Sequence, residues 1–340
     1  MIDSLKKVTE GEHLSFTEME RTAEQLFSEE TTDILRAAFL SSLRAKGETP
    51  EEIAAIAKTI QSKSMQLEIE LSDVIDNCGT GGDGSQSFNI STTAAFVMAG
   101  AGLTVAKHGN RSITSKTGSA DVLEHLGVDL SFSHQHTEEL LYENGITFLF
   151  APHIHPAMKQ LMTVRKALNI PTVMNVIGPL TNPVPLTSQF LGINRPDMVE
   201  DMAEVLRQLG RKRAIVVHGA GGMDEASLTG ENKLALLENN MIVPFTLHPE
   251  QFGLPVHSME DIRGGDAKEN ASILMRVLKG EQGAYRDTTI LNAGLGIFAN
   301  GKAKTIQEGI DSAKESIDSG AAYQKLTNLI EFSQRIKRGA

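Results

Sequence analysis

The chain has 340 residues, of which 40% are apolar and 22% charged, the balance of a soluble globular protein long enough for two domains. Its formal net charge of −11 argues against gripping nucleic acid by the phosphate backbone, an affinity that needs a basic surface. A single cysteine, Cys78, excludes an internal disulfide and points to a reducing compartment.

At the N-terminus, Met1-Ile2-Asp3-Ser4-Leu5-Lys6-Lys7 has no apolar h-region, so a signal peptide is not expected. Residues 1–70 read as helices only. Thr17 and Glu20 have capping-box spacing, and Thr49, Pro50 and Glu52 repeat the device with proline at the first helical position. Gly47 sits where a helix over residues 35–43 should stop. Ile53, Ile56, Ala57 and Ile60 then recur on one helical face.

From about Leu71 the pattern changes. Short runs (Val74-Ile75, Leu103-Thr104-Val105, Ile146 with Thr147, Phe148, Leu149 and Phe150, and Ala214-Ile215-Val216-Val217) alternate with helical stretches over residues 120–126, 198–209 and 273–278. Such alternation predicts an α/β fold with a mainly parallel central sheet flanked by helices, behind a small all-helical N-terminal domain. The expected division is 1–70 and 71–340, with part of the proline-rich stretch 160–190 crossing between them. The longest apolar stretch, residues 94–106, is too short to span a bilayer, so no membrane and a cytoplasmic location are expected.

Three clusters carry chemistry. Asp76-Asn77-Cys78-Gly79-Thr80-Gly81-Gly82-Asp83-Gly84 follows a predicted strand, and Asn89-Ile90-Ser91-Thr92 opens a helix. Glycines let backbone amides approach an anion, and a helix N-terminus adds its dipole. Gly79, Gly81 and Gly84 also match G-x-G-x-x-G, but no acidic ribose ligand follows about 20 residues on. Lys107-His108-Gly109-Asn110-Arg111 ends the next strand, trailed by the hydroxyls of Ser112, Thr114, Ser115 and Ser119. Loops at the carboxyl ends of neighbouring parallel strands share one crevice, so these two should form a polyphosphate site, with Lys107 and Arg111 supplying charge. At the end of another predicted strand, Asp224-Glu225 beyond a glycine turn offers the one or two carboxylates that magnesium takes alongside substrate phosphate. The His153-x-His155 pair lacks a third zinc ligand of matching spacing, and Cys78 reads as a small packing residue.

With these clusters in place the chain resembles the anthranilate phosphoribosyltransferase family of tryptophan biosynthesis over essentially its whole length. The resemblance rests on Gly79-Thr80-Gly81-Gly82-Asp83, Phe88-Asn89-Ile90-Ser91-Thr92, Lys107-His108-Gly109-Asn110-Arg111, Gly118-Ser119-Ala120-Asp121, the run from Asn175 through Gly178-Pro179-Leu180-Thr181-Asn182-Pro183, and Asp224-Glu225. It implies transfer of the phosphoribosyl group of 5-phosphoribosyl 1-pyrophosphate to the amine of anthranilate. It implies donor contacts from Gly79, Gly82, Asp83, Ser87, Asn89, Ile90, Ser91, Thr92, Lys107, Ser115 and Ser119, and acceptor contacts from Gly79, His108, Asn110, His155, Arg165 and Gly178. It further implies two magnesium ions per subunit on Ser91, Asp224 and Glu225, and a homodimer formed through the helical domain. Asn169 and Pro171 stand where the family's glycine and arginine are expected.

The reaction expected is an in-line displacement at the ribose anomeric carbon driven by positioning and electrostatics, with His108 the candidate should a base be needed. Two other readings share the architecture. A pyrimidine nucleoside phosphorylase would use inorganic phosphate without the metal pair, and a non-enzymatic nucleic-acid-binding relative would need a basic surface.

Overall fold

The computed structural model describes residues 1–68, 70–111 and 117–339; Ser112, Thr114 and Ser115 lie outside them. Four helices come first: α1 (Ile2–Thr9), α2 (Phe16–Leu26), α3 (Asp33–Lys46) and α4 (Pro50–Ser62). Helix α4 starts as its sequence dictates. Pro50 occupies the first helical position, the Thr49 side chain accepts from the Glu52 amide, and Glu52 returns the bond to Thr49. Its predicted apolar face is buried. Gly47 closes α3 at φ 91°, a left-handed value costly for a residue with a Cβ.

The start of α2 differs from expectation. The capping box is Ser15–Glu18, two residues before the predicted Thr17–Glu20 pair. Both pairs have the right spacing, and burial decides between them. Starting at Ser15 puts Leu14 and Met19 at the two positions of a hydrophobic staple, and both are fully buried, whereas Thr17 is exposed.

The α/β part is built on seven strands: β1 (Val74–Gly79), β2 (Thr104–Gly109), β3 (Ile146–Phe150), β4 (Ser188–Gly192), β5 (Arg213–His218), β6 (Asn232–Glu238) and β7 (Met241–Leu247). Their order across the sheet is β3-β2-β1-β4-β5-β6-β7. The first five pair in parallel and the last two join antiparallel, so the sheet is mostly parallel as predicted. The sequence reading missed β4 and the β6–β7 hairpin. Strand β4 carries Ser188 and Gln189 at buried positions, so it shows no apolar run. The hairpin turns through Asn239 and Asn240, both left-handed at φ 51° and 63°, as a two-residue turn between twisted strands requires.

Between strands lie α5 (Ile90–Gly100), α6 (Ser119–His125), α7 (His134–Asn144), α8 (Ala151–Ile154), α9 (Lys159–Leu168) and α10 (Val199–Gln208). After β7 come α11 (Ala267–Leu278), α12 (Ala284–Asn300), α13 (Ile306–Asp318) and α14 (Ala321–Gly339). One core joins α5, α6 and α11–α14 to the face of the sheet that carries Ile75, Val105, Ile215 and Val217. A second core joins α1–α4, α9 and α10 to the opposite face through Leu191, Ala214 and Val216. The helical N-terminal part therefore packs on the same side of the sheet as the crossing segment, where residues 173–180 form short 3-10 turns. No helix among the described residues is long and apolar enough to cross a membrane.

Candidate active site

Because β1, β2, β4 and β5 run parallel, their carboxyl ends open on one edge of the sheet, and the three sequence clusters meet there. The connection after β5 crosses the ends of β1 and β4 in contact with backbone. A Cβ on Gly79 would stand 2.1 Å from Asp224 Oδ2, and one on Gly192 would stand 1.6 Å from the Asp224 carbonyl oxygen. Only strand ends without side chains let the acidic segment lie this close. The Gly81 amide donates to Asp224 Oδ2 at 2.6 Å, which locks the glycine loop to the acidic pair.

Asp83 joins that pair. Carboxylate oxygens of Asp83, Asp224 and Glu225 all lie within 4.8 Å of one another. Asp83 Oδ2 is buried and has no hydrogen-bond partner, while its other oxygen accepts from the Ser85 amide at 3.1 Å. Burial, then the Asp83 charge, pushes the Asp224 carboxyl up to about 6. Burial, then Asp224 and Asp83, pushes Glu225 well above the usual carboxylate range. Three clustered hard oxygen donors, two of which resist ionisation and one of which has an oxygen without a hydrogen-bond partner among the described residues, fit a divalent cation such as magnesium.

A carboxyl raised in the folded state contributes stability that is present below the ordinary carboxylate range and lost as pH rises through the folded value. Without magnesium the protein therefore loses stability as pH rises from the ordinary carboxylate range through about 6 for Asp224, and further as Glu225 ionises above its usual range. Magnesium is expected to restore it, so the metal-induced rise in Tm should be large at pH 7.5 and close to zero at pH 5. Scanning calorimetry with and without the metal checks this, and equal increments at the two pH values would remove the cluster as the metal site.

Lys107 is buried at 3% exposure, with Nζ donating to the Asn77 carbonyl at 2.9 Å and to Ser91 Oγ at 3.3 Å. Its charge opposes the rise at Glu225, which places it in the field of the carboxylates. Ser91 and Thr92 stand in the first turn of α5, whose N-cap Asn89 makes no side-chain cap bond. Asn89 Oδ1 and Thr92 Oγ1 are buried without hydrogen-bond partners among the described residues. Uncapped first-turn amides and unpaired buried polar atoms beside a lysine fit an anionic ligand. Gly82 is exposed and Ser87 half-buried on the loop between β1 and α5, and Ile90, the first residue of α5, is buried. Ser119 opens α6, its Oγ donating to the Asn110 carbonyl at 3.1 Å.

Arg111 departs from expectation. Its guanidinium binds Asp121 at 2.7 Å and Glu124 at 2.5 Å on α6, so its charge is committed there rather than to the phosphate site.

On the opposite face of β2, His108 Nε2 lies 3.1 Å from His155 Nε2, and the rings meet edge to face. Thr181 Oγ1 stands 3.3 Å from the same His155 nitrogen and donates to the Gly178 carbonyl at 2.9 Å. Burial pushes His155 down to about 4 and His108 well below its ordinary value, so both rings are neutral at physiological pH. His155 Nδ1 is buried with no partner. Asn110 is exposed at the end of β2, its Oδ1 accepting from the Arg111 amide. Arg165, on α9, is half-buried, and burial alone lowers its pKa, with no acidic group contributing. Among the described residues, no hydrogen bond or ion pair joins it to the histidine pair. His153 is exposed and is not brought to His155's partners; among the described residues the only grouping suited to a metal is the carboxylate trio.

Residues 2–64 match the family described as glycosyl transferase family, helical bundle domain, and residues 71–323 match glycosyl transferase family, a/b domain. The anthranilate phosphoribosyltransferase of Exiguobacterium sibiricum is 58% identical over 338 residues, covering 99% of this chain and 98% of that one. That of Listeria monocytogenes is 55% identical over 332 residues, 98% of each. Among solved structures, the Thermus thermophilus anthranilate phosphoribosyltransferase superposes with a TM-score of 0.93 at 40% identity, covering 98% of this chain and 99% of the other. The Saccharomyces cerevisiae enzyme in complex with PRPP and Mg gives 0.90 at 29% identity over 98% of each chain.

Proposed function

As a member of the anthranilate phosphoribosyltransferase family, the chain transfers the phosphoribosyl group of 5-phosphoribosyl 1-pyrophosphate to the amine of anthranilate in tryptophan biosynthesis, and we propose that it does so where the loops after β1, β2 and β5 meet. The observation that carries this placement is the carboxylate trio held by the glycine loop beside Lys107 and the open start of α5. The donor lies along Gly79, Gly82, Asp83, Ser87, Asn89, Ile90, Ser91, Thr92, Lys107, Ser115 and Ser119. Two magnesium ions per subunit are held by Asp224, Glu225 and Ser91, with Asp83 as a further oxygen donor. When bound, the metal neutralises charge on the departing pyrophosphate.

The protein's own groups do the rest. Lys107 and the first-turn amides of α5 hold the leaving group as the bond from the anomeric carbon to its oxygen breaks. The anthranilate nitrogen forms the new bond from the opposite face, then gives up a proton to solvent. Positioning and fixed charge supply the acceleration. His108 is neutral, with Nε2 occupied by His155, which supports an aligning part for it at the acceptor rather than that of a base. Gly79, Asn110, His155 and Gly178 complete the acceptor side.

Arg165, a half-buried cation with no acidic partner among the described residues, is assigned to the anthranilate carboxylate. Arg165→Gln should raise the KM for anthranilate by about tenfold or more, the loss of a charge-assisted pair, and leave the donor KM nearly unchanged. Steady-state assays following anthranilate fluorescence measure both, and an unaltered acceptor KM would remove Arg165 from the site.

The division into 1–70 and 71–340, a cytoplasmic location and a homodimer through the helical part belong to the same proposal. The large apolar side chains Ile2, Ile34 and Met162, exposed on α1, α3 and α9, support the dimer. The overall reading is tested by mixing the protein with anthranilate and the pyrophosphate donor, with and without magnesium. Fluorescence should decay only when all are present. Phosphorolysis of thymidine or uridine without magnesium would favour a nucleoside phosphorylase, and salt-sensitive DNA binding without turnover a nucleic-acid-binding relative.

A further inference from the structure

Strands β1 and β2 separate just below the site. Their ladder pairs only Val74 with Thr104 and Ile75 with Val105, although β1 stays paired with β4 as far as Gly79 and β2 with β3 as far as Gly109. Side chains fill the parting. Asp76 Oδ1 accepts from the His108 amide at 3.2 Å, in place of a strand carbonyl. Asn182 Nδ2 donates to Asp76 Oδ2 at 3.0 Å and to the Ala106 carbonyl at 2.8 Å. Lys107 Nζ closes the other face of the gap on the Asn77 carbonyl. Asp76 and Asn182 are 0% and 1% exposed.

Alternation along a strand sorts these residues. Asn77 and Lys107 share the face of Ile75 and Val105, toward α5 and Ser91. Asp76 and His108 share the face of Val74 and Ala106, toward His155 and the crossing segment. The β1–β2 parting is thus the wall between the donor groups and the acceptor groups, and its width sets their separation.

The crossing segment is tied to this wall from two further directions. Gln61 of α4 donates to the carbonyls of Leu180 and Asn182, and Gln189 of β4 donates to that of Pro179 while accepting from Arg211. Arg211 and Lys107 are the cations that balance Asp76, which burial pushes up to about 6.

We propose that Asp76 and Asn182 are a positioning pair for the transfer reaction: they hold β1 and β2 apart so that Lys107 and His108 present the two substrates to each other at bonding distance. The proposal rests on the reaction assigned above. Neither side chain touches substrate; each acts through the groups it spaces.

The test uses the full-length protein with magnesium. Asp76→Asn keeps the acceptor for the His108 amide but sets an NH2 group against that of Asn182. Asn182→Asp keeps the acceptor for the Val184 amide but sets carboxylate against carboxylate and against the Ala106 carbonyl. In each, kcat should fall by about tenfold to a hundredfold, as expected for a small misplacement of reacting groups, while calorimetric binding of the donor alone stays within about threefold of wild type. The reversed pair, Asp76→Asn with Asn182→Asp, re-forms the bond between positions 76 and 182 with its polarity inverted but leaves the Ala106 carbonyl without its donor, so it should recover part of the kcat lost in Asn182→Asp, which general destabilisation would not do. Should a single variant fail to fold, the reversed pair still decides, against wild type and the other single. Wild-type kcat in either single, a loss that follows donor binding or folded fraction, or no recovery in the reversed pair would each overturn the proposal. No conversion of anthranilate by wild type would count against the assigned reaction and leave this pair nothing to align.

Discussion

Asp224→Asn combined with Glu225→Gln is expected to lower turnover by on the order of a thousandfold at ordinary magnesium concentrations, while the protein stays folded. The pair supplies two of the three clustered oxygen donors, and the amide oxygens that replace them carry no charge. Stability should move the opposite way from activity. In the metal-free wild type, Asp224, which is buried, and the half-buried Glu225 resist ionisation because they are screened from solvent and face each other and Asp83. Neutral isosteres relieve that repulsion, so the double variant should melt higher than metal-free wild type at pH 8. The gap should narrow below about pH 6, where Asp224 takes up its own proton. Magnesium should no longer raise Tm. A variant that keeps wild-type turnover and a wild-type magnesium response would place the metal elsewhere.

Lys107→Met is the second large effect. The lysine is the buried cation that touches both Ser91 and the Asn77 carbonyl, so no water or mobile side chain can take over its charge. Methionine matches its length without the ammonium. Turnover should drop by about a hundredfold to a thousandfold, corresponding to about 3–4 kcal/mol of lost charge stabilisation in the transition state. The KM for the pyrophosphate donor should rise, and the acceptor KM should change far less. Lys107→Arg is not expected to rescue, because a planar guanidinium cannot reproduce a compact ammonium in a site with 3% exposure. Rapid-quench measurement of a single turnover separates the chemical step from binding; a normal single-turnover rate would reduce Lys107 to a fold-stabilising residue.

Arg111 and Lys107 show how two cations of one string part ways. From the sequence both lie at a strand end among hydroxyls and look equally suited to phosphate. Which one serves depends on the neighbours that folding brings. Arg111 turns outward onto Asp121 and Glu124, whereas alternation along β2 sends Lys107 inward to Ser91. Asp83 shows the converse. It was legible as part of a donor loop, yet its place beside Asp224 depends on Gly79 and Gly192 letting a distant segment cross the sheet edge.

Local chemistry alone determined much of this protein. The α4 cap, the Gly47 stop, the strand–loop–helix rhythm and the phosphate-ready Gly79–Thr92 region all follow from propensities and spacings within a few residues, which a linear sequence displays directly. What only the tertiary structure decided involves partners far apart in the chain: the buried polar strand β4, the bond from Asn182 to Asp76 across 106 positions, and the facing of His108 and His155. Burial is the physical reason. A buried polar group must find a hydrogen bond wherever the fold supplies one, and that partner is chosen by packing in three dimensions rather than by neighbours along the chain.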